Sequence, residues 1–380
     1  MNKPAPQARL QSAFSPGSAT ASRPDKGFAY SRAFFEELVD TALAHAKKLG
    51  ATDAGAEASE GCGLSVSVRK AELENVERNR DKSLGVTVYI GHRRGNASTS
   101  DFSGAAIEQT VQAAYDIARF TAEDPVAGLP DAADIAGPAE QPDLDLFHPW
   151  EITSEQAAQI ALVCEAAAFK TDKRITNSEG AGVSAQQSHF FSAHSRGFRG
   201  GYPSSRHSVS VAPIAGKGDG MQRDAWYSSM RSATELAAPE AVGRYAAERA
   251  LARLKSRKIS TRECPVLFES PLASGLLGAY VQATSGGALY RKSSFLLESL
   301  DDGVPESHRH RRRPDAKAWQ GQRCIRRGGR SHQRTQGGRR RSGRRLLSQY
   351  LFGSQAGHEN HRQCGRFPQS GDDLAADRSW

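Results

Sequence analysis

The hydrophobic positions along the chain follow two different periods, and each period predicts one kind of element. Over residues 31–49 the apolar side chains recur at i, i+3, i+4 and i+7, which predicts an amphipathic helix. Helical periods also occur over residues 103–122 and 239–254. A further helix is predicted to begin at Thr153, because Gln156 follows three residues later and completes the pattern of a capping box.

A strict alternation of apolar and polar residues lies between these helices and predicts strands. Leu64, Val66 and Val68 alternate with polar neighbours, and residues 208–212 show the same period. The first group belongs to four short predicted strands, which cover residues 64–68, 73–77, 85–90 and 96–100. Their connections are too short for parallel crossovers, so an antiparallel meander is expected. A second antiparallel group extends over residues 174–229, where glycine clusters mark the hairpins.

The order of these elements predicts an α+β fold. Residues 1–26 are polar and contain several Pro and Ser, so we expect a disordered N-terminus. Residues 27–230 are expected to form an N-terminal domain in which helices cover an antiparallel sheet. Residues 231–300 are expected to provide a linker helix and the start of a truncated, β-rich C-terminal domain, with Pro265–Phe268 as a short buried strand. Residues 301–380 form a basic tail of low complexity.

The stretch from Ser270 to Leu300 lies where ordinary folded sequence gives way to this tail. It contains a predicted helix over residues 274–284, which Gly286 and Gly287 end. The side chains expected to face the interior of the protein are Leu276, Leu277, Tyr280 and Val281.

Net charge separates the tail from the rest of the chain. Residues 301–380 contain 17 Arg and one Lys against eight Asp and Glu, a net of +10, while the whole chain carries +9. The five cysteines form no C-x-x-C pair, which favours free thiols in a reducing compartment. There is neither a run of about 18 apolar residues nor the apolar core of a signal peptide, so a cytoplasmic location without membrane contact is expected.

The titratable residues of the predicted sheet give little support for a metal site. His189, His194 and His207 lie in the second group of strands, but they lack close ligand spacing and a nearby carboxylate. Surface or interface roles are therefore expected for these three histidines. Cys164 falls on the apolar side of its helix, which favours packing over reactivity.

Two segments of the chain resemble one known family in sequence and order. Residues 64–103 have the sequence LSVSVRKAELENVERNRDKSLGVTVYIGHRRGNASTSDFS, and residues 285–300 have SGGALYRKSSFLLESL. The first resembles the N-terminal meander of the TldD/PmbA (TldE) family, and the second resembles the entry to its C-terminal β-rich domain. The resemblance covers residues 30–300 and is to the PmbA (TldE) type.

The resemblance implies a cytoplasmic metallopeptidase system that works as a heterodimer. In this family a TldD-type subunit carries a zinc-binding histidine–glutamate motif on a helix, and the PmbA-type partner helps to form a peptide-threading cavity. The family is linked to peptide maturation, antitoxin degradation and modulation of DNA gyrase. The matching helix here, SGLLGAYVQATSGG, contains no His, Glu or Asp. The resemblance therefore implies no catalytic or metal residue in this chain, and zinc in the TldD-type partner.

A patch of four residues follows this helix and is a candidate contact for the peptide or the partner subunit. Its members are Tyr290, Arg291, Lys292 and Ser293. The alternative interpretation is that these residues only turn a buried strand.

The tail allows three interpretations. The first is a disordered basic arm that binds nucleic acid, and the second is an arginine-rich RNA-binding segment. The third is a sequence translated out of frame. The third is favoured: suitable codons for residues 351–371, shifted by one nucleotide, encode SSARRLGMKTTGNAGGSHNL, which resembles the C-terminal segment of the family. Codons for residues 303–320 give IVEDPTLKRG in the same shifted frame. An inactive frameshifted fragment is then the alternative to a working subunit.

Overall fold

The fold is known from a computed structural model that describes residues 27–137, 141 and 143–297. The prediction of a disordered N-terminus over residues 1–26 and that of a basic tail over residues 301–380 lie outside these ranges. Within them the chain is α+β, as predicted, with one antiparallel sheet of eight strands and helices on one of its faces.

The helices are α1 (Arg32–Lys48), α2 (Gly104–Phe120), α3 (Ser154–Thr171), α4 (Pro239–Ala252), α5 (Ser270–Ala283) and α6 (Gly286–Tyr290). The strands are β1 (Asp53–Arg69), β2 (Glu72–Ile90), β3 (Arg93–Thr99), β4 (Ile175–His194), β5 (Arg199–Gly200), β6 (Pro203–Ala215), β7 (Gln222–Arg223) and β8 (Trp226–Met230). The sheet has the order β3-β2-β1-β4-β6-β7, while β5 pairs with β4 and β8 pairs with β6.

The predicted meander is present, but it consists of three strands, β1 to β3, instead of four short ones. β1 already begins at Asp53, and the predicted second and third strands are both parts of β2. The prediction failed because residues 78–82 of β2 are polar or charged and break the alternation. These residues nevertheless remain extended, because each of them pairs with a residue of β1.

All four helices from α1 to α4 cover the same face of the sheet, in two pairs. The side chains at even positions of β1 face the helices, and they belong to two separate apolar cores. Ala54, Ala56 and Ala58 pack with α1 and α2, whereas Leu64, Val66 and Val68 pack with α3 and α4. The two cores therefore occupy opposite halves of one continuous sheet.

The ends of these helices follow from their capping residues. Ser31 caps α1 by accepting a hydrogen bond from the backbone N–H of Phe34 at 3.2 Å. The capping box predicted at Thr153 is complete, since Thr153 and Gln156 each accept a hydrogen bond from the other's backbone N–H. The sequence therefore predicted the start of these two helices to within one residue.

The hairpin between β1 and β2 has a turn in which neither central residue is glycine. Arg69 pairs with Glu72, so Lys70 and Ala71 form a two-residue loop, and their φ values are 52° and 63°. Positive φ at both positions defines a type I′ turn, which usually contains Asn or Gly. The buried carboxylate of Glu165 on α3 accepts hydrogen bonds from both backbone N–H groups, at 3.0 and 2.9 Å. These contacts stabilise a turn in which two residues with a β-carbon adopt a positive φ.

Two predictions for residues 255–297 are wrong. Pro265–Phe268 is not a strand but an irregular and exposed segment, and Leu267 is 99% exposed. Helix α5 is present, yet Leu276 and Leu277 are each about half exposed, and Val281 is exposed too. These side chains are open because α5 packs chiefly against the short α6 and is joined to α4 by an ion pair between Glu269 and Arg249. Among the helices in the described ranges, none has the length and apolar character to cross a bilayer.

Candidate functional site

A band of polar side chains separates the two apolar cores on the helix-covered face of the sheet. On β1 the apolar series stops at Glu60 and Cys62 and resumes at Leu64. Their paired positions on β2 and β4 are polar as well, and in the next row Arg78 on β2 and His207 on β6 flank Leu64 and Ala185. We call this band the polar belt and define it by Glu60, Cys62, Arg78, Arg80, Gln187, His189 and His207.

Glu60 is a buried carboxylate at the centre of the polar belt. It accepts hydrogen bonds from the backbone N–H groups of Ala29 at 2.9 Å and Tyr30 at 3.1 Å. His189 Nε2 lies 3.4 Å from its Oε2, and the guanidinium of Arg80 lies 3.6 Å from its Oε1. A buried carboxylate requires such partners, because burial removes its hydration. Glu60 thereby fixes the segment that leads into α1 across the middle of the sheet.

The expectation of surface or interface roles for the three sheet histidines is wrong, because all three are buried. His189 faces the helices and stacks between the rings of Phe28 and Phe35, with centroid distances of 4.1 and 4.6 Å. His194 is covered by Phe198, with its ring centroid 5.5 Å away. The sequence could not show this burial, since a histidine within an alternating strand fits either face of a sheet.

A cleft of about 370 Å³ opens along the polar belt, between the sheet and the segments that precede α1 and α3. Its volume falls within the range typical of ligand pockets. The side chains that matter most for its chemistry are those of Cys62, Arg78, Arg80, Trp150, Gln187 and His207. Gln187 donates a hydrogen bond to Cys62 Sγ at 3.4 Å, which fixes both side chains.

His207 is the most deeply buried titratable side chain of the cleft, with 1% of its surface exposed. Its Nε2 lies 2.8 Å from the backbone oxygen of His148, and since that oxygen can only accept, Nε2 carries the proton. Burial lowers the pKa of His207 below its usual value, so the ring is neutral near pH 7. Nδ1 is therefore a proton acceptor, and it forms no hydrogen bond within the described part of the chain.

The opposite face of the sheet carries small polar side chains. A shallow depression of about 210 Å³ lies there, lined chiefly by Ser65, Ser67, Gly182, Ser184, Ser208 and Ser210. We call this surface the serine face. The hydroxyls of Ser65 and Ser184 are 3.5 Å apart, and Gln186 Nε2 donates to Ser65 Oγ at 3.3 Å. No helix from α1 to α4 covers it, because their cores use the other face.

The predicted contact patch lies at the end of α6, and none of its residues lines the cleft. Tyr290 OH donates a hydrogen bond to Asp124 Oδ1 at 2.6 Å, which joins α6 to the loop after α2. Lys292 has a φ of 55°, and Ser293 Oγ donates to the backbone oxygen of Ala288 at 3.2 Å. The four residues thus form a helix end and the turn after it.

Sequence reasoning missed most of the polar belt, although a signal for it was present. The helix-facing positions of β1 are all apolar from Ala54 to Val68 except Glu60 and Cys62. A carboxylate inside an otherwise apolar series marks a place where the core is interrupted. His207 gave no such signal, because its buried environment depends on residues 148–150, which come from a distant connection.

The described ranges contain no group of three or more His, Cys, Asp or Glu side chains that could hold a metal ion. The side chains of α5 do not fit a zinc site either, because its sequence SPLASGLLGAYVQA offers no imidazole, thiol or carboxylate. No step of zinc chemistry can therefore be assigned to this helix.

This arrangement of long antiparallel strands and four helices on one face is shared with solved structures. A protein from Bacteroides thetaiotaomicron, described as a candidate modulator of DNA gyrase, superposes with a TM-score of 0.70 at 22% identity, over 79% of this chain and 69% of that chain. TldE from Thermococcus kodakarensis superposes with a TM-score of 0.64 at 13% identity, over 86% of this chain and 75% of that one. At such identities the likeness shows the fold.

Sequence comparison identifies the family. Residues 56–118 match the model of PmbA/TldA metallopeptidase domain 1, and residues 147–254 match that of the PmbA/TldA metallopeptidase central domain. Metalloprotease PmbA of Escherichia coli O157:H7 is 47% identical over 271 residues, and the homologue from Haemophilus influenzae is 42% identical over 273 residues. The chain belongs to the PmbA/TldE metallopeptidase family.

The matches cover 71% of this chain, but only 59% and 60% of the two relatives. The chain thus spans about three fifths of the length of the curated relatives it matches. Both matched domains contribute strands to the same sheet, so the polar belt is formed by the two domains together.

Proposed function

We propose that this chain is a PmbA-type, non-catalytic subunit of a cytoplasmic metallopeptidase complex that acts in proteolysis or peptide maturation. A TldD-type partner would carry the zinc and the catalytic residues. The observation that carries the proposal is the family membership of a chain whose helix α5 has no side chain able to bind zinc. Such a subunit would contribute to peptide binding and to the walls of the reaction chamber.

Two surfaces suit this role by their chemistry. The depression on the serine face is lined by polar and small side chains without charge, so an extended polypeptide could lie on it without strong selection for its side chains. The patch from Tyr290 to Ser293 is held at the protein surface by the hydrogen bond to Asp124 and would contact the peptide or the partner subunit.

The proposal is tested by reconstitution of peptide hydrolysis. The purified chain and a TldD-type subunit from the same genome are assayed separately and mixed, with an unstructured peptide and added zinc. We expect no cleavage by this chain alone and cleavage by the mixture, which a chelator abolishes. A variant of the partner that lacks its zinc ligands is the control and should inactivate the mixture. Zinc-dependent cleavage by this chain alone would contradict the proposal.

The charge of the tail favours a second candidate function, nucleic-acid binding. The net of +10 over residues 301–380 would neutralise phosphates and release counterions. Its test is a gel-shift assay at low salt with the whole chain and with a variant that ends at residue 300. A salt-dependent shift that disappears with the tail supports this function, whereas the absence of a shift at low salt contradicts it.

A frameshift near codon 300 would instead make the tail an accident of translation. The test is the nucleotide sequence across codons 295–305, together with the intact mass of the purified protein. An inserted or missing base there identifies the tail as out of frame. An unchanged reading frame with a mass of 41.0 kDa shows that the tail belongs to the protein.

A further inference from the structure

One edge of the sheet is open along more than half of β2. β3 pairs with β2 only over residues 84–90, whereas residues 72–83 of β2 pair only with β1. Alternate residues of such a strand turn their backbone N–H and C=O groups away from the paired neighbour. Within the described ranges, no hydrogen bond outside the pairing with β1 reaches the backbone of residues 72–83. This edge is long and contains no proline, so it can accept a further strand.

The apolar layer between the sheet and the helices is unfinished at the open edge. Val66 and Val68 of β1 are buried in the core that α3 and α4 cover. Their partners on β2 are Val76 and Leu73, which continue this layer but are 41% and 59% exposed. A strand added beside β2 would place apolar side chains next to Val76 and Leu73 and shield them from water. The open edge therefore favours a segment that is apolar on this side.

The other face of the same edge is acidic. Glu77 and Asp81 lie on it, because they pair with Ser65 and Gly61 of β1, and both are exposed. Among the described residues neither carboxylate has a cationic partner, and Asp81 accepts only a hydrogen bond of 3.4 Å from the amide of Asn79. The two carboxylates are four residues apart, which is about 13 Å along a strand. Lysine or arginine at the same spacing on an added strand would match them.

The helix-covered face of β2 does not call for charged side chains in the same way. Arg80 lies 3.6 Å from the carboxylate of Glu60, and Lys82 donates a hydrogen bond to the hydroxyl of Tyr30 at 2.9 Å. A second copy of this chain does not fit the edge either. On the acidic face, residues 75–83 of its β2 would offer only Asn, Glu, Asp and Ser, and therefore no cation.

We propose that the open edge of β2 binds an extended segment of another polypeptide as an added strand. The segment has lysine or arginine at positions i and i+4 on one face and apolar side chains on the other. Residues 72–83 supply the main-chain hydrogen bonds, and Glu77 and Asp81 select the basic face. The whole site lies within this chain, so it does not depend on the metallopeptidase complex proposed above.

Binding of a peptide to the isolated whole chain tests the proposal. The probe is dansyl-labelled Thr-Val-Lys-Val-Thr-Val-Lys-Val-Thr, which has the same order in both directions and so fits parallel and antiparallel pairing alike. The control peptide has proline in place of each valine, so it keeps the charge but lacks those backbone N–H groups. We expect the proline peptide to bind at least about tenfold more weakly in fluorescence anisotropy.

Hydrogen exchange shows where the valine peptide lies. Its binding should slow the exchange of backbone amides in residues 72–83 and leave those of β3 unchanged. Protection of β3 instead, or of neither strand, would overturn the proposal, because contact through charge alone does not protect the amides of one edge.

The two carboxylates are tested by substitutions that remove only their charge. Glu77→Gln and Asp81→Asn should each weaken binding of the valine peptide about threefold, the effect of one exposed ion pair. Glu108→Gln, the same change at an exposed position of α2, is the matched control and should have no effect. The basic tail is the same in every variant. The proposal is overturned if the three variants behave alike or if the two peptides bind equally. It is also overturned if neither peptide binds, as when the chain's own tail occupies the edge.

Discussion

His207 Nε2 lies 2.8 Å from the backbone oxygen of His148, and this hydrogen bond fixes which ring nitrogen of His207 carries the proton. Because burial also lowers its pKa, the folded protein holds His207 neutral, whereas the unfolded chain protonates it below a pH of about 6.5. The unfolded state then binds more protons than the folded state. The contribution of His207 to stability is therefore lost as the pH falls from about 6.5 through the lowered folded pKa.

We predict that the His207→Asn variant loses less stability between pH 7 and pH 5 than the unmodified protein. Asparagine keeps a donor for the His148 oxygen but does not titrate. The measurement is the free energy of unfolding by urea at both pH values. His148 and Asp145 lie nearby and are the same in both proteins, so the difference between the two proteins is the quantity that matters. An identical loss in both would contradict the assignment of a neutral, buried His207.

The hairpin between β1 and β2 depends on Glu165. Its carboxylate accepts hydrogen bonds from the backbone N–H groups of Lys70 and Ala71, and it is 2% exposed. Replacing Glu165 by Ala removes both acceptors, so we predict a loss of about 2 kcal/mol in the free energy of unfolding. Glu248→Ala, at an exposed position of α4, is the control and should change stability by less than about 0.5 kcal/mol. Equal effects of the two substitutions would refute the role of Glu165.

The same turn predicts a stabilising substitution. Ala71 has a φ of 63°, a conformation that costs a residue with a β-carbon about 1 kcal/mol and costs glycine little. Ala71→Gly should therefore raise the free energy of unfolding by about 1 kcal/mol. Ala113→Gly, at an exposed position inside α2, should lower it by a similar amount. Thermal unfolding of the two variants measures the two changes in the free energy of unfolding. Changes of the same sign in the two variants would contradict the turn geometry.

The cysteines should differ in their reactivity. Cys164 lies on the face of α3 that packs into the apolar core, where it is fully buried. Burial raises the pKa of the Cys164 thiol to about 12. Cys264 is exposed and Cys62 is partly exposed. Among these three cysteines, we predict that iodoacetamide at pH 8 modifies Cys264 first, Cys62 more slowly, and Cys164 only after unfolding. Peptide mapping by mass spectrometry gives the order, and rapid modification of Cys164 in the native protein would contradict its packing in the core.

The sequence predicted the helices better than it predicted the site. The amphipathic period of α1 and the capping box at Thr153 are local signals, so both ends of α1 and the start of α3 were predicted to within one residue. The strand predicted at Pro265–Phe268 was wrong because a short apolar run does not show whether anything packs on it. The leucines of α5 were placed inside for the same reason.

The polar belt required contacts that are distant in the sequence. Glu60 meets His189 at 3.4 Å across a separation of 129 residues, and no local pattern could pair them. The length of β2 likewise depends on β1, because its charged middle remains extended through pairing alone. The interruption of the apolar series at Glu60 and Cys62 was the one signal of the site that was visible beforehand.

The mass of the particle that this chain forms with a TldD-type subunit decides whether the chain is a subunit of a metallopeptidase complex, as we propose. The two purified proteins are mixed in equal amounts and measured by size-exclusion chromatography with light scattering. We expect one species whose mass is that of the partner plus 41.0 kDa, the mass of this chain. Two separate species at micromolar concentrations, each with the mass it has alone, would contradict it.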